Sequence, residues 1–299
     1  MGIADLVPGI SGGTIALITG IYQELLSSIN QLNIENIKSI RSHGFVYFWK
    51  VINGPFLFAI FGGILTSIFS FSYLLEWLIQ NEPVALWSFF FGLLLASILF
   101  LARSIKPFGT KTILLIIIGA IISFLLSKLT GNYSNSGYFY LFFSGFIGIS
   151  AMILPGLSGA YILLILGVYE TILSTVRQAI SVLSNFDQTI FIETYSKLFV
   201  FGLGILFGLR IFAGFLSWLF KKYPDNTLAT LIGLMIGALH KIWPWQNESS
   251  LSNGDLKKQT IAVLPNDFIG APEMVKAVIF LILGFALLLV LEKIKPQKK

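Results

Sequence analysis

Apolar residues occur in long runs along this chain, and short polar segments separate them. Examples of such runs cover residues 56–73, 112–126, 198–220 and 278–291. A helix needs about 20 mainly apolar residues to cross a hydrocarbon layer of about 30 Å, and these runs reach or approach that length. The pattern predicts an all-α polytopic membrane protein, with membrane helices over residues 54–75, 84–102, 111–129, 198–220, 226–243 and 274–292.

The composition agrees with a membrane protein and excludes several other classes. Charged residues make up 11% of the 299 residues and the mean hydropathy is +0.84, whereas a soluble domain carries about 25% charged residues. The chain has no Cys, and its two His residues, His43 and His240, lie far apart. It therefore offers neither thiolate chemistry nor a metal-binding cluster. The sequence predicts no cofactor, no metal and, despite a net charge of +6, no nucleic-acid partner.

The basic residues predict the orientation of the helices, because Lys and Arg are enriched on the cytoplasmic side of membrane proteins. We place the segments 30–53, 103–111 and 221–225 and the C-terminal tail inside. That side then holds twelve basic residues: Lys38, Arg41, Lys50, Arg103, Lys106, Lys111, Lys221, Lys222, Lys293, Lys295, Lys298 and Lys299. The opposite side holds seven: Lys128, Arg177, Lys197, Lys241, Lys257, Lys258 and Lys276.

The chain repeats itself, and the repeat is inverted. When Pro8 is aligned with Pro155, eleven of the twenty positions from Pro8 to Ser27 are identical, including Pro-Gly-x-Ser-Gly and a later Gly-x-Tyr. Further along, Gly63 aligns with Gly204 and Gly92 with Gly233. The orientation above makes each later helix antiparallel to its copy, as in transporters built from inverted repeats. We predict a first repeat at 1–129 and a second, inverted repeat at 130–299, within one membrane domain.

Small residues spaced four apart predict where these helices pack. The second half has two Gly-x-x-x-Gly pairs, and the first half has small residues at the equivalent positions. The pairs are Gly204 with Gly208, Gly233 with Gly237, Gly63 with Ser67 and Gly92 with Ala96. Such spacing lets helix backbones approach closely, so we expect helix contacts there.

The repeated Pro-Gly motif is the strongest candidate for a binding site. Pro breaks a helix and Gly permits unusual backbone angles, and we expect a helix to resume through Ile21 in the first copy and Val168 in the second. A helix that begins inside a membrane exposes N–H groups at its positive end, which suits phosphate or carboxylate. The predicted headgroup ligands from the motif are Ser11, Gly12, Gly13, Thr14, Ser158, Gly159 and Tyr161. Either re-entrant half-helices or complete crossings fit the pattern.

Arg210 is a second candidate, because it lies in the middle of the apolar run 198–220. A central arginine costs about 2.5 kcal/mol or more to insert, so it should face a cavity or a partner. Its guanidinium matches phosphate oxygens, and we assign it to anion binding. The alternatives are that it reaches an interface, or that it pairs with Asp5 or Glu24.

Asp5, Glu24 and Glu170 flank the two motif copies. Intramembrane carboxylates often carry protons, so these three are candidates for proton coupling, with solvated helix ends as the alternative. Tyr22 and Tyr169 are interpreted as interfacial anchors. In residues 34–41, Ile34, Ile37 and Ile40 recur at helical spacing beside Lys38 and Arg41. This pattern is typical of a helix lying at the membrane surface.

At these residues the chain resembles the bacterial polyprenyl-phosphate transporter family, formerly a domain of unknown function. The resemblance covers nearly the whole chain, and residues 2–14 (GIADLVPGISGGT), 20–22 (GIY) and 155–159 (PGLSG) carry it. It implies inward movement of undecaprenyl phosphate, or a related polyprenyl-phosphate lipid, across the bacterial inner membrane to recycle the carrier lipid. Similar proteins have a further apolar stretch before the motif, which would correspond to residues 138–154, so we expect the first half to lack that helix.

Two other functions compete with this interpretation. The same broken helices would suit an ion-coupled carrier or channel for a small soluble anion, with a pore sealed from lipid. A membrane lipid phosphatase is a further alternative, but the sequence shows no nucleophile–base pair and no metal cluster. We therefore expect a transporter and not an enzyme.

Overall fold

The computed structural model describes residues 1–2, 11–129, 137–184, 187–248 and 260–294. The first half contains α1 (Gly12–Thr19), α2 (Tyr22–Gln31), α3 (Ile34–His43), α4 (Phe45–Val51), α5 (Gly54–Asn81), α6 (Pro83–Arg103) and α7 (Thr110–Leu126). The second half contains α8 (Tyr138–Ile153), α9 (Gly159–Ile165), α10 (Tyr169–Ser184), α11 (Gln188–Lys222), α12 (Pro224–Ala238) and α13 (Met274–Ile294). Two 3₁₀ turns (Leu239–Ile242 and Pro265–Asp267) and an antiparallel pair, β1 (Gln246–Glu248) and β2 (Thr260–Ala262), lie between α12 and α13.

A helix lies over each of the six segments predicted to form membrane helices, so the all-α fold class is confirmed. Helices α6 and α11 are each long and apolar enough to cross a membrane, and α7, α8 and α13 are shorter apolar helices. The largest difference is in α11, which begins ten residues before the predicted start. Asp187 explains this, because its Oδ1 accepts hydrogen bonds from the N–H groups of Thr189 and Ile190 and caps the helix.

Two helix pairs repeat the same contact with the halves exchanged. A Cβ built on Gly92 of α6 would lie 2.0 Å from the carbonyl oxygen of Leu281 in α13, and one on Gly233 of α12 would lie 2.2 Å from that of Ile116 in α7. Since α6 corresponds to α12 and α7 to α13, each half supplies one member of each pair. This exchange is what a pseudo-twofold axis between the two halves would produce, so the inverted repeat stays a prediction with which these contacts agree.

The predicted small-residue contacts of α11 are also present. Gly204 and Gly208 pack on α8, where an added Cβ would lie 2.0 Å from the carbonyl oxygen of Phe142 and 2.5 Å from that of Phe146. The equivalent position on α5 differs, because no described atom lies within 4 Å of a Cβ built on Gly63. The two long helices therefore both carry small residues at these equivalent positions, but the surroundings of Gly63 differ from those of Gly204.

The buried core lies where the first-half motif helices meet α6 and α12. Tyr22 and Leu26 of α2 pack there with Leu94 of α6 and with Leu231 and Met235 of α12, and each of these is at most 2% exposed. Helix α3 lies outside this core. It has no buried residue, as expected for a helix at the membrane surface.

Candidate functional site

Both motif copies start a short helix with a serine cap. Ser11 Oγ accepts a hydrogen bond from the N–H of Gly13 at 3.0 Å and begins α1. Ser158 Oγ accepts one from the N–H of Tyr161 at 3.4 Å and begins α9. A serine at this position satisfies one of the N–H groups that a helix start leaves unpaired, so the repeated sequence gives the same local structure twice.

Each short helix ends at a glycine with positive φ. Gly20 has φ 77° and Gly167 has φ 70°, a backbone region that Gly adopts without steric cost. The N–H of Ile21 then bonds the carbonyl of Ala16, and the N–H of Val168 that of Leu163, both at 3.0 Å. This is a Schellman ending. The prediction that the helices continue through Ile21 and Val168 is therefore wrong, and new helices begin at Tyr22 and Tyr169.

Helices α8 and α9 form a hairpin. Tyr140, near the start of α8, donates a hydrogen bond of 2.7 Å to the carbonyl of Leu166, just after α9. Between them, a Cβ built on Gly159 would lie 2.8 Å from the carbonyl oxygen of Gly148. The chain therefore folds back along α8, and α10 leaves at 108° to α9. This geometry agrees with the half-helix that the motif predicts for the second copy.

The tip of this hairpin contacts the first motif copy directly. The N–H of Gly156 donates to Thr14 Oγ1 at 3.2 Å, and the Ser11 hydroxyl donates to the carbonyl of Met152 at 2.6 Å. A Cβ built on Gly13 would lie 2.3 Å from the carbonyl oxygen of Ile153. Ser11 and Thr14 are 1% and 0% exposed. In this state the predicted ligands Ser11 and Thr14 of the first copy are buried against the α8–α9 hairpin.

Tyr22 belongs to the same contact. It is 1% exposed and donates to the carbonyl of Ile153 at 3.1 Å, so the prediction of an interfacial anchor is wrong for this residue. Anchoring was inferred from the usual place of Tyr at membrane surfaces, whereas here burial supplies the hydroxyl with an acceptor from the other half.

The second copy is more open than the first. Gly159 is buried, but Ser158 and Tyr161 are only half-buried. The Tyr161 hydroxyl donates to the carbonyl of Ser127 at the end of α7. The two copies therefore share a fold and differ in access.

Arg210 lies apart from the motif residues and contacts α2. Its Nη1 donates to Asn30 Oδ1 at 2.7 Å, and Asn30 Nδ2 in turn donates to the carbonyl of Ala213 at 3.2 Å. Among the described residues no carboxylate pairs with this guanidinium. The side chain is exposed, and its neighbours on the same surface are apolar, since Phe207 and Ile211 are 53% and 55% exposed.

The predicted carboxylates occupy different environments. Glu24 is half-buried and accepts a hydrogen bond of 2.9 Å from Asn53 Nδ2, so the predicted alternative of an Arg210–Glu24 pair is wrong. Glu170 is exposed in the first turn of α10. Asp5 lies outside the described residues.

A cluster of basic residues beside Tyr161 was missed by the sequence analysis. Lys241 Nζ lies 4.4 Å from the centre of the Tyr161 ring, and His240 Nε2 is 2.8 Å from Ser127 Oγ. Both belong to the 3₁₀ turn that follows α12. The cluster forms because α7 packs on α12 and brings the ends of these two helices together. No local sequence pattern marks this contact.

Comparison with known proteins agrees with this architecture. The undecaprenyl phosphate translocase-like family matches the chain over residues 1–260. A Vibrio cholerae protein named polyprenyl-phosphate transporter is 39% identical over 298 residues, covering 95% of this chain and 92% of its own. A Staphylococcus aureus protein of the same name is 30% identical over 256 residues, covering 82% of this chain and 83% of its own. No solved structure matches the chain significantly. The resemblance seen in the sequence is confirmed, and this helical membrane protein belongs to the undecaprenyl phosphate translocase-like family.

Proposed function

We propose that this chain transports a polyprenyl phosphate across the bacterial inner membrane. Both relatives above are named for that substrate. The observation that carries the proposal is Arg210, a cation exposed among exposed apolar side chains. A soluble anion would require this charge inside a pore. A lipid phosphate instead needs a cation that its headgroup reaches while the isoprenoid tail stays in the hydrocarbon.

The depth of Arg210 supports a role in crossing and not in surface binding. It lies twelve residues before Lys222, the last residue of α11, which corresponds to about 18 Å along a helix that rises about 1.5 Å per residue. That distance is about half the thickness of the hydrocarbon layer. A phosphate bound to Arg210 would therefore be near the middle of the membrane, where the cost of burying an unpaired anion is highest.

The two motif copies would form the moving part of the site. We infer that the phosphate passes between Arg210 and the two motif copies, where the helix starts at Ser11 and Ser158 direct N–H groups inward. In the present state the first copy is sealed and the second is partly open. Two inverted copies give two related states that open to opposite sides, so exchange of these roles would move the headgroup. The excess of basic residues on one side supports a cytoplasmic location for that side, and return of spent carrier lipid would then be inward.

The experiment is a translocation assay in proteoliposomes that contain the purified chain and fluorescent undecaprenyl phosphate. We expect faster loss of outer-leaflet lipid than in protein-free vesicles, and no competition by millimolar inorganic phosphate. Uptake of inorganic phosphate without lipid movement would instead establish the soluble-anion carrier. Release of phosphate from the lipid would establish a phosphatase and overturn the proposal.

Glu24 and Glu170 are the described carboxylates that could carry a coupling proton. Glu24 is the better placed of the two described candidates, because it is half-buried and hydrogen-bonded while Glu170 is exposed. We expect an imposed pH gradient to change the translocation rate in the unmodified chain and in Glu170→Gln, but not in Glu24→Gln. A gradient effect that persists in Glu24→Gln would remove Glu24 from the coupling step.

A further inference from the structure

Two lysines lie beside the second motif copy without any acidic partner. Lys241 Nζ lies over the Tyr161 ring and Lys128 Nζ over the Phe124 ring, each at 4.4 Å from the ring centre. Aromatic faces attract cations but accept no conventional hydrogen bond from an ammonium group. Among the described residues neither ammonium has a hydrogen-bond acceptor or a carboxylate. Six ammonium N–H donors are therefore available to a ligand.

His240 holds this part of the molecule in place. Its Nδ1 donates to the carbonyl of Gly237 at 2.9 Å, and its Nε2 shares a hydrogen bond of 2.8 Å with Ser127 Oγ. Both ring nitrogens are thus used within the protein. The ring also packs edge-to-face on Phe124, with the centres 4.9 Å apart. His240 therefore ties the 3₁₀ turn to the end of α7 and positions the two lysines.

Ser127 connects the lysines to the motif. Its carbonyl accepts the Tyr161 hydroxyl, and Lys128 is the next residue. Tyr161 itself lies in the first turn of α9, three residues after the cap Ser158. An anion held by the lysines would therefore lie beside the open copy of the motif, at the end of α7.

The charge balance favours an anion over other ligands. Lys241 is half-buried, so its charge is partly removed from water without compensation by a carboxylate. His240 is next to Lys241 in the chain and packs on the same Phe124 ring that lies under Lys128 Nζ, so both ammonium groups gather beside it. Like charges gathered in this way concentrate an anionic ligand, and a phosphate monoester, with up to two negative charges, matches two ammonium groups.

We propose that Lys241 and Lys128 form an entry subsite that binds the phosphate headgroup of the transported lipid before it reaches Arg210. This inference rests on the proposed function, because it assigns a first binding position to the same substrate. On the orientation derived from the basic residues, the subsite faces away from the cytoplasm, which is where spent carrier lipid would be collected.

The test is competitive acylation of lysines with an N-hydroxysuccinimide ester in nanodiscs, measured by peptide mass spectrometry. Lys222, the last residue of α11, is the matched control. Its Nζ also lies over aromatic rings, 5.4 Å from the centre of Trp218 and 5.3 Å from that of Tyr223. At a concentration ten times the dissociation constant, undecaprenyl phosphate should reduce acylation of Lys241 about tenfold. Undecaprenol, which lacks the phosphate, should not protect it, and Lys222 acylation should not change.

Binding of the same lipid gives a second measurement. Lys241→Gln should raise the dissociation constant of undecaprenyl phosphate about tenfold, the effect of losing one charge-assisted contact, and Lys222→Gln should leave it unchanged. Equal protection of Lys241 by inorganic phosphate at the same concentration would show a site for free phosphate and overturn the assignment to the lipid.

The outcomes separate this inference from the proposed function. Unchanged Lys241 acylation and unchanged binding in Lys241→Gln, in a protein that translocates undecaprenyl phosphate, would overturn the subsite alone. No translocation by the unmodified chain, together with protection of Lys241 by inorganic phosphate, would overturn lipid transport and leave an anion site.

Discussion

The two copies of the Pro-Gly motif have the same local structure and different surroundings. Thr14 and Tyr161 occupy equivalent positions, two residues into α1 and α9. Thr14 is fully buried and accepts a hydrogen bond from the opposite hairpin, whereas Tyr161 is half-buried and extends to the end of α7. The local sequence therefore fixes the cap, the short helix and the glycine ending, and the tertiary environment decides which copy is closed.

This difference is what one state of an inverted repeat should show. If both copies were equally open, the membrane would contain a continuous polar path, and if both were sealed, no headgroup could enter. One buried and one accessible copy satisfy both requirements. The contact between Thr14 and Gly156 lies at the boundary between them, so mutations there test whether closure is real.

The largest effect is expected from Gly13→Val. The first side-chain atom alone would lie 2.3 Å from a backbone carbonyl oxygen of the other hairpin, and overpacking of this kind costs about 1–3 kcal/mol. We expect a clearly lower unfolding temperature, measured by tryptophan fluorescence. We also expect lipid translocation to be lost. The matched variant is Ala160→Val at the equivalent position, where the existing side chain is exposed. Equal destabilisation by both variants would mean that the copies are equally packed.

A smaller effect is expected from replacing a glycine by alanine in each of the two long helices, α11 and α5. Gly204→Ala should lower stability by about 2 kcal/mol, because its Cβ would lie 2.0 Å from the carbonyl oxygen of Phe142. Gly63→Ala, at the equivalent position of α5, should instead be neutral or raise stability by about 0.5–1 kcal/mol, since Ala favours a helix over Gly. Thermal unfolding in detergent distinguishes the two. A loss of stability in Gly63→Ala would show that α5 has a packed partner on that face.

The smallest effect is expected from removing single hydroxyl groups. Thr14→Val keeps the shape but leaves the buried N–H of Gly156 without an acceptor, at a cost of about 1 kcal/mol, the lower end of the range for such a group because the bond it loses is long, 3.2 Å. Thr14→Ser retains the hydroxyl and is the control. Tyr161→Phe at the equivalent position should cost less, about 1 kcal/mol or below, because the group is half-exposed. Unfolding temperatures give the order, and a larger loss in Tyr161→Phe would reverse our assignment of the closed copy.

The fold was largely predictable from the sequence, because a membrane leaves the backbone few choices. Apolar runs must form helices that satisfy their own hydrogen bonds, and the repeated small residues marked the contacts at Gly204 and Gly233. The ends of the motif helices were not predictable in this way. A glycine such as Gly20 is compatible with a continuing helix or with a Schellman ending, and tertiary packing decides between them.

The candidate site was only partly predictable, because its contacts join residues far apart in the chain. Arg210 was found from its charge within an apolar run, but its partner Asn30 is 180 positions away. Tyr22 looked like an interfacial residue until the carbonyl of Ile153 was placed beside it. The Lys241 cluster depends on two helix ends that meet only after α7 packs on α12, and no local pattern reports that meeting.

The most direct test of the account is the translocation rate of undecaprenyl phosphate by Arg210→Ala in proteoliposomes. Arg210→Lys, which keeps the charge but loses the planar guanidinium, and Lys222→Gln, at the C-terminal end of the same helix, are the controls. We predict a decrease of about tenfold or more in Arg210→Ala, from loss of a charge-assisted contact. We expect an intermediate rate in Arg210→Lys, the unmodified rate in Lys222→Gln and similar unfolding temperatures for all three. Translocation by Arg210→Ala at the unmodified rate would contradict the claim that a cation facing the lipid carries the phosphate through the membrane.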